Sequence, residues 1–95
     1  MKMTTIMKRL GSFKSVENYD GKPNQFFLEF EHGEVLQSYQ SIIAIKLHSD
    51  SCRFYLGSNW DYSKTAGRYR NMFTGYNKAD TERKINAGLY IVLGN

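Results

Sequence analysis

Between Asn59 and Tyr76 the spacing of apolar residues changes from two to about 3.6. Upstream, apolar and polar residues alternate as they do on a half-buried strand; downstream they recur as on one face of a helix. The stretch is therefore a strand-to-helix corner, and a chain that makes this switch once, after several strands, is expected to build an α+β fold. The expected architecture is a mainly antiparallel sheet of about five strands, with one main helix packed on a face and a second short helix. Residues 1 to 95 form a single domain, since this length suffices for one modest core and no more.

The strands follow from local pattern. Thr4 to Phe13 has Ile6, Leu10 and Phe13 at irregular spacing and is assigned to a strand. Asn18 to Asn24 is dense in turn formers, with Asp20-Gly21 suited to positive φ and Pro23 barred from a central strand, so it is a loop. Phe26, Leu28 and Phe30 alternate with Phe27, Glu29 and Glu31, and His32-Gly33 turns the chain towards a partner strand from Val35 to Tyr39. Ile42 to Leu47 is apolar on both sides and belongs near the sheet centre. Ile43, Ile45 and Leu47 are expected on one face, Ile42 and Ala44 on the other. Arg53 to Leu56 pairs back after a His-Ser-Asp-Ser turn, with Phe54 and Leu56 inward and Arg53 and Tyr55 outward.

The main helix is expected from Ser63 to Thr74. Asp61 or Ser63 caps it, Ala66, Tyr69 and Phe73 face the sheet with Met72 at the edge, Lys64, Arg68 and Asn71 face away, and Gly75 ends it. Asn77 caps a second helix from about Lys78 to Ala87, which Gly88 stops. Leu89, Ile91 and Leu93 close the sheet. The expected core is Leu28, Phe30, Ile43, Ile45, Phe54, Tyr69, Phe73 and Ile91.

Composition narrows the function. With 41% hydrophobic and 23% charged residues the chain is a folded globular protein. The single Cys52 leaves no internal disulfide and suits a reducing compartment, and the N-terminus mixes cations into its apolar residues and lacks the continuous apolar run that a signal peptide or membrane span needs, so neither secretion nor membrane insertion is expected. Cytoplasmic residence is expected. Net charge is +4, with basic ends and an acidic middle: residues 1 to 16 carry Lys2, Lys8, Arg9 and Lys14 without an acid. Such a surface attracts phosphate-bearing partners, unless the halves neutralise each other in the fold.

Catalysis finds little support. His32 and His48 fall in turns, far from the role of a base beside a nucleophile. His48 with Cys52 supplies two metal ligands where three or four are needed. Glu29 and Glu31 are the wet side of a strand, and no phosphate-cradling glycine motif occurs. Neither an enzyme nor a cofactor is expected.

Binding finds more. Arg53 and Tyr55 on a strand, Trp60 and Tyr62 at the corner, and Lys64, Arg68 and Arg70 on the helix interleave aromatic faces with cations. That chemistry stacks a base and holds its phosphate. Each residue also has a plain structural role open to it, as core aromatic or solvated helix face.

Gln37 to Ala44, followed after a hairpin by Trp60-Asp-Tyr-Ser-Lys-Thr65 and an aromatic helix end, resembles a family of small phage-borne proteins of unknown function. The similarity covers about residues 37 to 93, and the Trp-Asp-Tyr-Ser-x-Thr run is its most specific part. The chain departs from the family pattern at Thr65-Ala66 and Arg68-Tyr69. The resemblance implies a phage accessory product and carries over no site. Proteins of this kind are suspected of blocking host defence by sequestering a nucleotide signal or capping a defence protein. The expected function is thus a non-enzymatic, host-cytoplasmic, homo-oligomeric phage protein that binds a nucleotide or nucleic-acid phosphate. The alternatives are a protein-binding inhibitor of a host defence protein and a virion structural or assembly protein.

Overall fold

The computed structural model describes residues 1–50 and 53–94; Cys52, and with it the His48 and Cys52 pair, lies outside the described residues. The elements are α1 (Met3–Arg9), β1 (Phe13–Asn18), β2 (Gln25–Phe30), β3 (Gly33–Ser38), β4 (Ser41–Leu47), β5 (Phe54–Leu56), α2 (Lys64–Thr74), α3 (Lys78–Asn86) and β6 (Ile91–Val92). The fold is α+β. Six strands form one sheet in the order β1-β2-β3-β4-β5-β6, antiparallel except for the parallel β5-β6 pair. That parallel return needs a long crossover, which α2 and α3 supply.

The first ten residues correct the expected strand. Met3, Ile6, Met7 and Leu10 recur at i, i+3, i+4 and i+7, and α1 turns this stripe onto the sheet, burying Ile6 and Leu10 completely. Counting only Ile6, Leu10 and Phe13 hides the period; the two methionines complete it. Lys8 and Arg9 lie in the last turn, where cations oppose the negative end of the helix dipole. Leu10 packs over Gly33, whose missing Cβ would otherwise lie 2.6 Å from Leu10 Cδ2. The strand beyond the expected set is β1. All six of its residues are exposed, so no inward face marks it in sequence.

Helices on both sides of the sheet make two cores. Against α2 lie Leu36, Ile43, Ala44, Phe54 and Leu56 with Ala66, Tyr69 and Tyr90; against α1 lie Val35, Ile45, Leu47, Tyr55 and Leu93 with Ile6 and Leu10. A bulge sorts β4 between them. Leu36 pairs with Ala44 but Gln37 pairs with Ile42, so Ile43 is an extra residue. The extra residue flips the parity of everything before it. Ile43 therefore joins Ala44 on the α2 side and Ile42 joins Ile45 and Leu47 on the α1 side, contrary to the expected split. Of the expected core, Ile43, Ile45, Phe54 and Tyr69 are buried. Leu28, Phe30, Phe73 and Ile91 are half-buried, since they lie at the margins of the two helices, and Leu89 is exposed. Among the described residues no helix is long and apolar enough to cross a membrane.

Candidate functional site

The helix α2 positions the site. Its N-cap is Ser63, whose side-chain oxygen accepts from the Ala66 amide at 3.0 Å, and its end is Gly75 at φ 83°, a left-handed conformation that glycine adopts without strain. Only Tyr76 and Asn77 separate Gly75 from α3. Asn77 accepts from the Asp80 amide at 2.8 Å and so starts α3 beside the first helix. This short turn brings Lys78 against the outer flank of α2. There a groove of about 730 Å³ is lined by Asp61, Ser63, Lys64, Gly67, Arg68, Arg70, Asn71, Met72 and Lys78. It holds four cations and one carboxylate.

Arg70 is not the solvated cation expected of it. It is 1% exposed, because Ala66, Tyr69, Arg70 and Phe73 fall at i, i+3, i+4 and i+7 and share the buried stripe. Its guanidinium stacks on Trp60, with Cζ 5.0 Å from the ring centroid. Nη1 donates to the Trp60 carbonyl at 2.9 Å and to Asp61 Oδ1 at 3.2 Å, and Nη2 donates to Asn71 Oδ1 at 2.9 Å. Arg70 thus ties the corner to the helix. Its Nε is buried without a partner. Gly67, one turn earlier, packs beside the guanidinium: a Cβ there would lie 3.6 Å from both Nη1 and Nη2, in ordinary contact.

Asp61 is the counter-ion of the groove. Lys78 Nζ lies 2.7 Å from its Oδ2, and that contact first, then Arg70, holds the carboxyl below the usual carboxylate range despite some burial. The same contact raises the Lys78 ammonium. Lys64 and Arg68 are exposed and pair with no carboxylate among the described residues. The groove therefore carries surplus positive charge.

The other expected site residues scatter. Tyr55 is buried on the opposite face of the sheet, under α1, with its hydroxyl donating to Asp50 at 3.3 Å; both faces of β5 are covered, so neither is outward. Arg53 lies at the head of β5 near Asp50, at 3.9 Å, and is not part of the groove wall. Trp60 is half-buried at the margin of the α2-side core and serves as the plate under Arg70. Tyr62 is exposed on the other side of the helix cap, its hydroxyl 3.1 Å from Ser38 Oγ. Only Lys64, Arg68 and Arg70 meet in one place, and Lys78 joins them. Its signal was its position just after the Asn77 cap, two residues beyond Gly75, so that α3 starts where α2 ends. Among the described residues no three His, Cys, Asp or Glu side chains converge as metal ligands would.

No curated protein and no solved structure matches the chain. A family model does match, over residues 1–87, so the similarity takes in the N-terminal helix and the edge strand that the phage-protein resemblance left out. The chain belongs to that family, DUF8033, a family of unknown function.

Proposed function

We propose that the protein is a non-enzymatic binding protein that takes a phosphate-bearing ligand, a nucleotide or a nucleic-acid backbone, in the groove along α2. The observation that carries this is the charge balance of the groove. Asp61 is neutralised by Lys78 and Arg70, which leaves Lys64 and Arg68 to attract an anion. Phosphate oxygens satisfy such cations and release their counterions. In the same reading the protein is a phage accessory product acting in the host cytoplasm, where it blunts a defence pathway by sequestration. The resemblance of the Trp60 to Thr65 run to small phage-borne proteins supports the phage origin and no more.

The protein acts as a homo-oligomer in this reading. Although α1 of the same chain covers the second face of β4, Phe13 and Val16 on β1 remain 54% and 53% exposed at the sheet edge, and this edge supports an oligomer. The same edge favours the second reading, a protein that caps a host defence protein. A virion structural role has no observation in its favour.

The test is fluorescence anisotropy with a labelled oligonucleotide, alongside thermal shifts with mononucleotides and cyclic dinucleotides. Affinity should fall as salt rises, with a log-log slope of about −0.7 for each phosphate neutralised on a single strand. Arg68→Ala should weaken binding and flatten that slope while the melting temperature holds, since an exposed helix position tolerates Ala. If no member of the panel binds, or if Arg68→Ala binds as the wild type does, the groove is not a phosphate site and the capping reading takes its place.

A further inference from the structure

The basic groove contains no exposed aromatic ring, yet two of the protein's most exposed rings stand just across the helix cap. Tyr39 is 58% exposed and Tyr62 47%. They line a second groove of about 500 Å³ with Gln40, Ser41, Ser63 and Thr65. Ser63 borders both grooves, so the two share a wall at the N-terminus of α2.

Tyr39 is held at its backbone and Tyr62 at both its backbone and its hydroxyl. Tyr39 has φ 54°, a left-handed conformation that a bulky side chain rarely adopts. It is held there by its amide donating to the Asn24 carbonyl at 2.7 Å and by its carbonyl accepting from Gln37 Nε2 at 2.7 Å. Tyr62 is anchored at its hydroxyl, 3.1 Å from Ser38 Oγ, and at its amide, which donates to the Asn59 carbonyl at 3.2 Å. The positive φ closes the two-residue turn between β3 and β4, where Ser38 pairs with Ser41, and the turn leaves the Tyr39 ring facing water. The slot is also uncharged: Gln40, Ser41, Ser63 and Thr65 offer amide and hydroxyl groups and no ionised one. A second phosphate would find no cation there. A flat neutral group edged with hydrogen-bonding atoms fits.

We infer that the Tyr39 and Tyr62 slot takes a base of single-stranded nucleic acid whose phosphates lie on Lys64 and Arg68. The inference rests on the phosphate reading of the α2 groove and names its ligand. A duplex hides its bases in the stack, whereas an unpaired strand can turn one onto tyrosine faces while its backbone tracks the cations. Because the contact is stacking, it tolerates any base. Gln40 and Thr65 add at most a modest preference.

Three labelled or competing ligands test this at one fixed salt: an oligothymidylate, an abasic strand of the same length, and a duplex. The wild type should bind oligothymidylate about 5- to 150-fold more tightly than the abasic strand, the range that loss of one stacked base spans. Tyr62→Ala and Tyr39→Asn should each reduce that advantage severalfold while leaving affinity for the abasic strand unchanged. Asn tolerates the left-handed conformation at position 39, so that variant removes the ring without unfolding the turn. Tyr62→Phe should keep most of the advantage, because its ring remains. Equal affinity for the abasic strand and oligothymidylate overturns the slot and leaves the phosphate groove standing; failure of all three ligands removes both. Duplex binding as tight as oligothymidylate, or thymidine monophosphate competing as well as the strand does, overturns the single-strand assignment.

Discussion

Replacing Arg70 with Ala should destabilise the protein severely, although helix-surface arithmetic alone would treat it like Arg68, two residues away. The guanidinium is 1% exposed and makes three hydrogen bonds, to the Trp60 carbonyl, Asp61 and Asn71, besides stacking on Trp60. Breaking a fully buried charged pair by removing one partner costs about 3 to 5 kcal/mol, and here only the Arg70 side is buried, Asp61 being partly exposed. Two features place this site at the lower end. Asp61 retains Lys78 at 2.7 Å, so it is not stranded, and the unpartnered Arg70 Nε is itself a desolvation penalty that the substitution relieves. A loss of about 3 kcal/mol is expected, which lowers the melting temperature of a domain this size by about 12 to 24 °C. That is a large share of the roughly 5 to 14 kcal/mol that holds a domain of 95 residues together.

Urea unfolding followed by Trp60 fluorescence measures the change directly, with Arg68→Ala as the control expected within about 0.5 kcal/mol of wild type. Arg70→Lys should recover part of the loss, because one ammonium keeps the charge but cannot reach three acceptors arranged for a planar fork. If Arg70→Ala unfolds within about 1 kcal/mol of the wild type, the guanidinium is solvated in solution. The clamp would then not exist, and Arg70 would return to the list of cations available to a ligand.

Three further outcomes are expected. Phe73 is half-buried and meets Phe27 and Phe54 at centroid distances of 6.1 and 5.7 Å, so Phe73→Ala should cost about 2 kcal/mol, less than the 3 to 5 of a fully buried ring; a variant as stable as wild type would contradict the helix register. Because Lys78 and Arg70 lower the Asp61 pKa, the stability this carboxylate lends is complete above its ordinary value of 3.8 and is lost as pH falls through the lowered one. Melting temperatures should therefore differ between wild type and Lys78→Met at about pH 6 and converge towards about pH 2; a difference that persists in acid would assign Lys78 another role. Light scattering at micromolar concentration should give a mass above the 11.0 kDa of one chain, reduced by Phe13→Ser on the exposed edge strand, and a monomer mass for the wild type would remove the oligomer from the proposal.

The elements that could be read from the chain are those whose signal is local. Ser63, Gly75, Asn77 and Gly88 mark helix ends because capping and positive φ are properties of a few consecutive residues, and the alternation through Phe26 to Phe30 marks β2 for the same reason. Local signals failed where a residue's surroundings come from elsewhere. Strand β1 exposes every side chain and is a strand only because β2 offers it hydrogen bonds. The bulge at Ile43 is a mismatch between two strands, invisible in either alone, and it moved Ile42 and Ile43 to opposite faces from those expected. Tyr55 read as outward because alternation assumes one wet face, whereas α1 covers the side that Tyr55 points to.

The candidate site divides in the same way. That the corner is rich in cations and aromatics follows from composition, and so does the solvated character of Lys64 and Arg68. Which of those groups face a ligand was decided in three dimensions. Arg70 falls on the apolar stripe with Ala66, Tyr69 and Phe73, a position its own sequence period already implied, but only the nearby Trp60 and Asp61 explain how a guanidinium can be buried there. Lys78 enters the groove because α3 starts where α2 ends, and Tyr39 and Tyr62 border one slot because a hydroxyl on β3 holds a ring from the corner loop. Chain order specifies side-chain chemistry and short-range geometry, while a site that joins Asp61 to Lys78, 17 residues on, and Tyr39 to Tyr62, 23 residues on, exists only once the sheet and its helices have brought them together.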